Sequence, residues 1–255
     1  MVASFVSRSE NGPLISWHRG GSELAESASE AAFVLAAQRG AELIEVDVRQ
    51  SADGVLLCVH DSAIAGLGEV SELHFESLSP SERQGILSFA HFADLLDESD
   101  PERRSGVHHD IKQTGYEIAA VDLLVEHRRP QFVTTTFASS VKLIRDLRPD
   151  VLAYLTIGTS RAGMTRWARA RLRTGETFPM WRIYRCRAQG IAIHHRLATR
   201  MIRWWCRRCS LGIVVWTVDK SERLDQWIER DVDVITTNRP VFALERREGA
   251  AASSR

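Results

Sequence analysis

The sequence is poor in several things, and each absence narrows the reading. Only four cysteines, Cys58, Cys186, Cys206 and Cys209, stand in 255 residues. That is too few to staple a fold of this length, so the core must be held by apolar packing, with the thiols reduced. Long apolar runs are missing. No uninterrupted stretch approaches the roughly 20 residues that cross a bilayer, and the opening MVASFVSRSENGP has no apolar block of the secretory kind. A cytoplasmic protein is expected, with peripheral membrane attachment left open. Net charge is missing too: Lys+Arg and Asp+Glu are 33 each. A balanced chain gives no global reason to expect nucleic acid as partner. No Pro-, Gly- or Ser-rich linker divides the chain, so residues 1–246 read as one domain. Residues 247–255, polar and rich in small side chains, read as a disordered tail.

The balance of charge hides an uneven distribution. From Arg161 to Arg208 there are 13 arginines, no lysine and one acid, Glu176. Trp167, Trp181, Trp204 and Trp205 fall in the same span. Arginine beside tryptophan suits peripheral contact with an anionic membrane. The plainer reading is a solvated basic exterior with partly packed tryptophans. Cys206-x-x-Cys209, with Cys186, His194 and His195 nearby in sequence, offers half of a zinc knuckle. A single C-x-x-C lacks its paired half, so ordinary thiols near a helix end are the simpler expectation.

What is present is a rhythm. Hydrophobic residues make up 44% of the chain, enough for one substantial core. Short apolar runs alternate with helical patterns, which is the signature of βα units and a parallel sheet. Strands are predicted at 14–18, 43–48, 55–59, 107–111, 131–136, 151–157, 190–193, 211–218 and 232–236. Helices are predicted between them, at 29–39, 89–96, 116–127, 139–147, 197–206 and 221–230. Asp53-Gly54 between two apolar runs predicts a hairpin or tight bend. Roughly eight strands in βα order fit an α/β fold, a (β/α)8 TIM barrel, with a reduced insertion after the second barrel strand. The stretch from Gly158 to Arg187 resists assignment.

Chemistry-bearing residues gather at the C-terminal ends of these strands, the face on which barrel active sites are built. The first strand ends in His18-Arg19-Gly20. The second carries Glu45 and Asp47. His60-Asp61 closes the 55–59 run, Asp110 and Lys112 end the 107–111 strand, and Trp216 lies on the seventh barrel strand. The two-residue period of a strand puts Glu45 with Asp47 on one side, and Asp110 with Lys112 likewise. Carboxylates crowded on an inner face repel and lose hydration, a cost that a divalent cation removes. Glu45, Asp47 and Asp110 are hard oxygen donors suited to Mg²⁺ or Ca²⁺. His18 and His60 suit proton transfer near neutrality. Arg19 and Lys112 bring positive charge for phosphate oxygens. Taken singly, each is more often a satisfied structural residue. Together they point to phosphoryl transfer.

These same residues carry a resemblance. The runs I-S-W-H-R-G-G (15–21), G-A-E-L-I-E-V-D-V (40–48), D-G-V-L-L-C-V-H-D (53–61) and D-I-K (110–112) resemble glycerophosphodiester phosphodiesterases. T-T-T-F-A-S-S-V-K-L-I-R-D-L-R-P-D (134–150), V-V-W-T-V-D (214–219) and V-D-V-I-T-T-N-R-P (232–240) extend it in order along nearly the whole chain. The resemblance implies hydrolysis of glycerophosphodiesters to glycerol 3-phosphate and an alcohol. It implies His18 and His60 as the acid–base pair, and Glu45, Asp47 and Asp110 as holders of a divalent cation. It also implies Arg19 and Lys112 on phosphate, and Trp216 against the glycerol or alcohol moiety. A neighbouring hydroxyl of the substrate would attack phosphorus, and water would open the resulting cyclic phosphate.

The sequence departs from the pattern in places. Glu26-Ser27-Ala28-Ser29 replaces the family's P-E-N-T, and Asp110 replaces a glutamate. His108 and His109 are unusual before it, and the inserted segment is cut to Ser62–Gln84. A short insertion leaves the mouth open to a bulky or lysolipid substrate. Two further readings follow: a lysophospholipase D-like enzyme at membranes, and a degenerate barrel that binds phosphodiesters without turnover.

Overall fold

The computed structural model describes residues 12–158 and 180–253. Eight parallel strands close on themselves. They are β1 (Leu14–Trp17), β2 (Leu43–Gln50), β6 (Gly106–Ile111), β7 (Gln131–Thr135), β8 (Leu152–Ile157), β9 (Gly190–His194), β10 (Gly212–Trp216) and β11 (Val234–Thr237). Each pairs with the next, and β1 pairs with both β2 and β11, which shuts the barrel. Apolar side chains point outward from the strands and meet the inner faces of surrounding helices. These are α1 (Glu30–Gln38), α3 (Phe89–Ser99), α4 (Glu117–Glu126), α5 (Ala138–Leu147), α6 (Met180–Cys186), α7 (Arg200–Arg208), α8 (Ser221–Ile228) and α9 (Pro240–Ser253). Ser29, Ser88 and Thr199 start α1, α3 and α7 by accepting a backbone N–H at the third helical position. Ser221 is the first residue of α8 and not its cap; Lys220 holds that place without a side-chain bond.

The inner face has two levels. Leu43, Phe132, Leu152, Tyr154, Ala192, Val214 and Val234 form a separate apolar cluster on alternate strand positions, the filled floor of the barrel. Tyr154 needs room that two glycines supply. A Cβ on Gly190 would lie 2.6 Å from the Tyr154 ring, and one on Gly212 would collide with its hydroxyl. Above that floor the inward residues become polar: Glu45 and Asp47 on β2, His108 and Asp110 on β6, Thr134 on β7. Parallel register sets Glu45 beside His108 and Asp47 beside Asp110, with Asp110 beside Thr134.

Two expectations are corrected. The predicted 55–59 strand shortens to Leu56–Leu57 (β3), which runs antiparallel to the end of β2 as the return arm of the expected hairpin, with Arg49 opposite Leu57. Gly54, at φ 87°, makes the reversal, and Ser51 Oγ accepts the Val55 N–H to close it. From there the insertion continues as a β4–β5 hairpin (Ala63–Ile64, Gly68–Glu69) and a short capped helix, α2 (Pro80–Arg83), over a small core of Leu57, Val70 and Phe75. The second correction concerns the end of the chain. Residue 247 does not begin a disordered tail; α9 continues to Ser253. Buried Arg247 donates to the Pro13 carbonyl and to Glu42 Oε2, both at 2.8 Å, and so fastens the helix to the foot of β1. Among the described residues no helix is long and apolar enough to cross a membrane.

Candidate active site

The mouth of the barrel opens into a cavity of about 380 Å³. Its walls include all eight residues singled out in the sequence: His18, Arg19, Glu45, Asp47, His60, Asp110, Lys112 and Trp216. The first wall is made by a turn that most sequences could not form. After β1 the backbone enters the left-handed region three times running, at Arg19 (φ 51°), Gly20 (φ 79°) and Gly21 (φ 85°). A Cβ at Gly20 would sit 2.8 Å from the Ala32 carbonyl carbon, so only glycine fits against α1. Arg19 carries the strain of a non-glycine residue there, of order 1 kcal/mol. Its N–H is thereby aimed at Glu45 Oε2, 2.9 Å away.

His18 Nδ1 lies 2.7 Å from Asn238 Oδ1. Asn238 is itself fixed: its Nδ2 donates to Asp219 Oδ2 at 2.9 Å, and its backbone N–H to Asp219 Oδ1 at 2.8 Å. The amide oxygen must therefore face the imidazole, Nδ1 carries the proton, and Nε2 is left as an acceptor, 3.9 Å from Glu45 Oε2. Burial pushes His18 below its ordinary 6.5, against the pull of the Asn238 hydrogen bond. The neutral ring is thereby favoured at pH 7. His60 differs. It lies on the loop beyond β3, about half exposed, with Nδ1 2.7 Å from Asp61 Oδ1. Arg49, two residues beyond Asp47, donates its Nε to the His60 carbonyl at 2.9 Å and joins the cavity wall.

Glu45, Asp47 and Asp110 converge. Each offers one carboxylate oxygen, and the three lie within 4.8 Å of one another. Two cations stand among them. Lys112 Nζ is 2.7 Å from Asp47 Oδ1 and also contacts Asp110; Arg19 Nε is 2.6 Å from Asp47 Oδ2. Burial would raise Asp47, but Lys112 and Arg19 outweigh it and hold the carboxyl at about 2. Lys112 is raised by Asp110 and Asp47, which overcome its own desolvation. Glu45 goes the other way. Burial, and then the Asp47 charge, push its carboxyl well above the usual range.

Three acids against two cations leave one negative charge in excess, on a buried group that resists ionisation. Asp47 Oδ2 is also buried and accepts no hydrogen bond, since Arg19 approaches it without the alignment one needs. A hard divalent cation would take up both the excess charge and the unbonded oxygen. The donor set fits such an ion. Among the described residues no other His, Cys, Asp and Glu side chains group in this way. Cys206 is buried in α7, with burial pushing its thiol up to about 12, and Cys209 is exposed. Neither is drawn into a cluster with Cys186, His194 or His195.

The model of the glycerophosphoryl diester phosphodiesterase family matches residues 18–241. The chain belongs to that family. It is thus a phosphoric diester hydrolase. Solved structures agree on the fold. A glycerophosphodiester phosphodiesterase from Parabacteroides distasonis superposes with a TM-score of 0.76 at 18% identity, covering 95% of this chain and 100% of the other. A phosphodiesterase from Oleispira antarctica, solved with its product sn-glycerol-3-phosphate, gives 0.71 at 18% identity over 95% and 97% of the two chains. A glycerophosphodiester phosphodiesterase from Agrobacterium tumefaciens gives 0.66 at 22% identity over 91% and 99%. No curated protein matches the chain.

Sequence reasoning missed the residues behind the first row. Asp219 and Asn238 sit in the V-V-W-T-V-D and T-T-N-R-P runs but had no role until the fold set them against His18. Arg49 was findable, since Glu45, Asp47 and Arg49 share the strand's two-residue period.

Proposed function

We propose that the protein hydrolyses glycerophosphodiesters to glycerol 3-phosphate and an alcohol, with Glu45, Asp47 and Asp110 holding Mg²⁺ or Ca²⁺. The observation that carries this is the convergence of the three carboxylates in one cavity wall with two imidazoles and two cations. Bound there, the ion would polarise the phosphate and balance its growing charge. Neutral His18, through Nε2, takes the proton of the glycerol hydroxyl beside the ester as its oxygen attacks phosphorus. His60, on the open lip, gives a proton to the departing alcohol oxygen. The P–O bond to that alcohol breaks and a cyclic phosphate remains. The roles then reverse: His60 takes a proton from water, water opens the ring, and His18 returns its proton to the glycerol oxygen. Arg19 and Lys112 meet the non-bridging oxygens. Trp216, half-buried at the end of β10, packs against the glycerol or alcohol.

A second reading, a lysophospholipase D-like enzyme at membranes, has one specific observation behind it. Trp181, Tyr184 and Trp204 on α6 and α7 are 67%, 78% and 64% exposed, among arginines and no acids. Residues 161–179 of the Arg- and Trp-rich span, Trp167 included, lie outside the described residues. Turnover of glycerophosphocholine and of a lysolipid, each with and without divalent metal, tests both readings. Metal-dependent release of choline from the first substrate supports the main proposal, and turnover of the lysolipid alone supports the second. No turnover of either leaves a barrel that binds without catalysis.

A further inference from the structure

His108 lines the cavity but touches none of the candidate reacting groups in the mechanism above. Its ring is 4% exposed and stacks on Phe132 with centroids 4.3 Å apart. Nδ1 lies 3.0 Å from Ser16 Oγ, and Nε2 lies 3.0 Å from Thr134 Oγ1. Thr134 Oγ1 in turn donates to Asp110 Oδ1 at 2.7 Å.

Full burial disfavours a charged His108 ring, and for the neutral ring these three contacts leave one consistent set of protons. An ionised carboxylate only accepts, so the Thr134 hydroxyl proton points at Asp110. Thr134 Oγ1 must then accept from His108 Nε2, which therefore carries the ring proton. Nδ1 is bare and accepts from the Ser16 hydroxyl. The chain runs one way, from Ser16 on β1 through His108 on β6 and Thr134 on β7 to Asp110. Ser16, His108 and Thr134 are buried and Asp110 is partly buried at the cavity end, and stacking on Phe132 fixes the plane of the His108 ring.

We infer that His108 is a positioning residue, held as the Nε2–H tautomer, that acts through Thr134 to set the orientation of the Asp110 carboxylate. The inference rests on the reading of Asp110 as a cation ligand. Thr134 occupies one lone pair of Oδ1 and Lys112 contacts the other oxygen, so the carboxylate plane is fixed, with one of its oxygens within 4.8 Å of oxygens of Asp47 and Glu45. Hydrogen bonds behind a ligand commonly govern its affinity for metal by 10–100-fold. His18 and His108, in one cavity, are thus locked as opposite tautomers. Asn238 keeps the proton of His18 on Nδ1 and its Nε2 available to substrate, while Thr134 keeps the proton of His108 on Nε2 and withdraws that ring from proton transfer.

Two measurements on the full chain test this. Long-range ¹H–¹⁵N correlation of the histidine rings in metal-free protein should show His108 as Nε2–H in the wild type. In Thr134→Val, which removes the acceptor, that tautomer should lose its dominance. A wild-type His108 in the Nδ1–H form, or no change in Thr134→Val, overturns the proposal. Titration with Mn²⁺ then compares Asp110→Asn, Thr134→Val, Ser16→Ala and His108→Gln, whose amide can still donate to Thr134. Thr134→Val should weaken Mn²⁺ by about 10-fold or more, and His108→Gln by less. If Asp110→Asn loses Mn²⁺ while Thr134→Val binds as wild type does, the positioning role is wrong and the metal site stands. If Asp110→Asn itself binds like wild type, the metal reading fails first.

Discussion

Arg129 and Arg19 lie at opposite ends of the barrel, and each stands beside two carboxylates. Arg129, just before β7, has a side chain with no exposure. It donates to Asp97 Oδ1 at 3.0 Å, to Asp100 Oδ2 at 2.8 Å, and to the Leu96 and Asp100 carbonyls that end α3. Ser105 and Arg104 N–H groups occupy the oxygens of Asp100, and His127 bonds Asp97. The charged side chains of this cluster, Arg129, Asp97 and Asp100, are each paired with a group of opposite charge. At the mouth, Arg19 and Lys112 are shared among three acids, one Asp47 oxygen accepts no hydrogen bond, and Glu45 is pushed toward its neutral form. One end is charge arranged to hold strands and helices in place. The other is charge left incomplete, which is the condition for receiving a cation and a phosphate.

The largest expected effect would break the base. Arg129→Leu leaves buried Asp100, and partly buried Asp97, without their cation, which costs about 3–5 kcal/mol. At about 2–4 °C per kcal/mol in a chain of this size, thermal unfolding should come far lower, while the activity of the folded fraction is kept. The next is at the mouth. His18→Ala and His60→Ala should each lower kcat by about 100-fold or more with little change in melting temperature. A variant of either near wild-type rate would take that imidazole out of the mechanism. Third, Mg²⁺ or Ca²⁺ at 100 times its dissociation constant should add about 2.7 kcal/mol of stability, read as a metal-dependent shift in melting that Glu45→Gln largely removes. Fourth, Glu45→Gln should raise the melting temperature of the metal-free protein by a few degrees while depressing turnover. It removes a buried carboxyl that ionises only at a cost yet keeps an acceptor for the Arg19 N–H. A fall in melting temperature would show that the mouth is balanced without metal.

Smallest is the acid limb. Burial raises Asp97 and Asp100, but hydrogen bonds outweigh it and both end below their ordinary 3.8, Asp97 through His127 and Arg129, Asp100 through Ser105, Arg104 and Arg129. A depressed carboxyl stabilises the fold above its unfolded value and loses that contribution as pH falls through the folded one. Chemical denaturation followed downward from pH 5 should therefore show a steeper loss in wild type than in Asp100→Asn, which has no charge there to lose.

How far the sequence could be read differs by residue. Glu45, Asp47, Asp110 and Lys112 were legible because a strand's two-residue period and the ends of apolar runs locate them without a structure. His60 was legible as a chemical group, but its setting was not. Asp53-Gly54 signals the hairpin before it, but only the pairing against β2 shows that the return strand stops at Leu57 and leaves His60 on the loop beyond. Arg247 hid in a polar stretch, because its value lies in a bond to Glu42, some two hundred residues earlier.

The sequence by itself determined the barrel, its order of strands and the chemical kinds gathered at its mouth. Period, turn residues and strand ends are local properties, and they repeat around a closed sheet. Tertiary structure alone decided the protons. Whether His18 presents Nε2 to the cavity depends on Asn238 and Asp219, and where the ring proton of His108 sits depends on Ser16 and Thr134. Those partners lie 26 to 220 positions away in the chain. A tautomer is set by the neighbour across the barrel, and no local pattern encodes that neighbour.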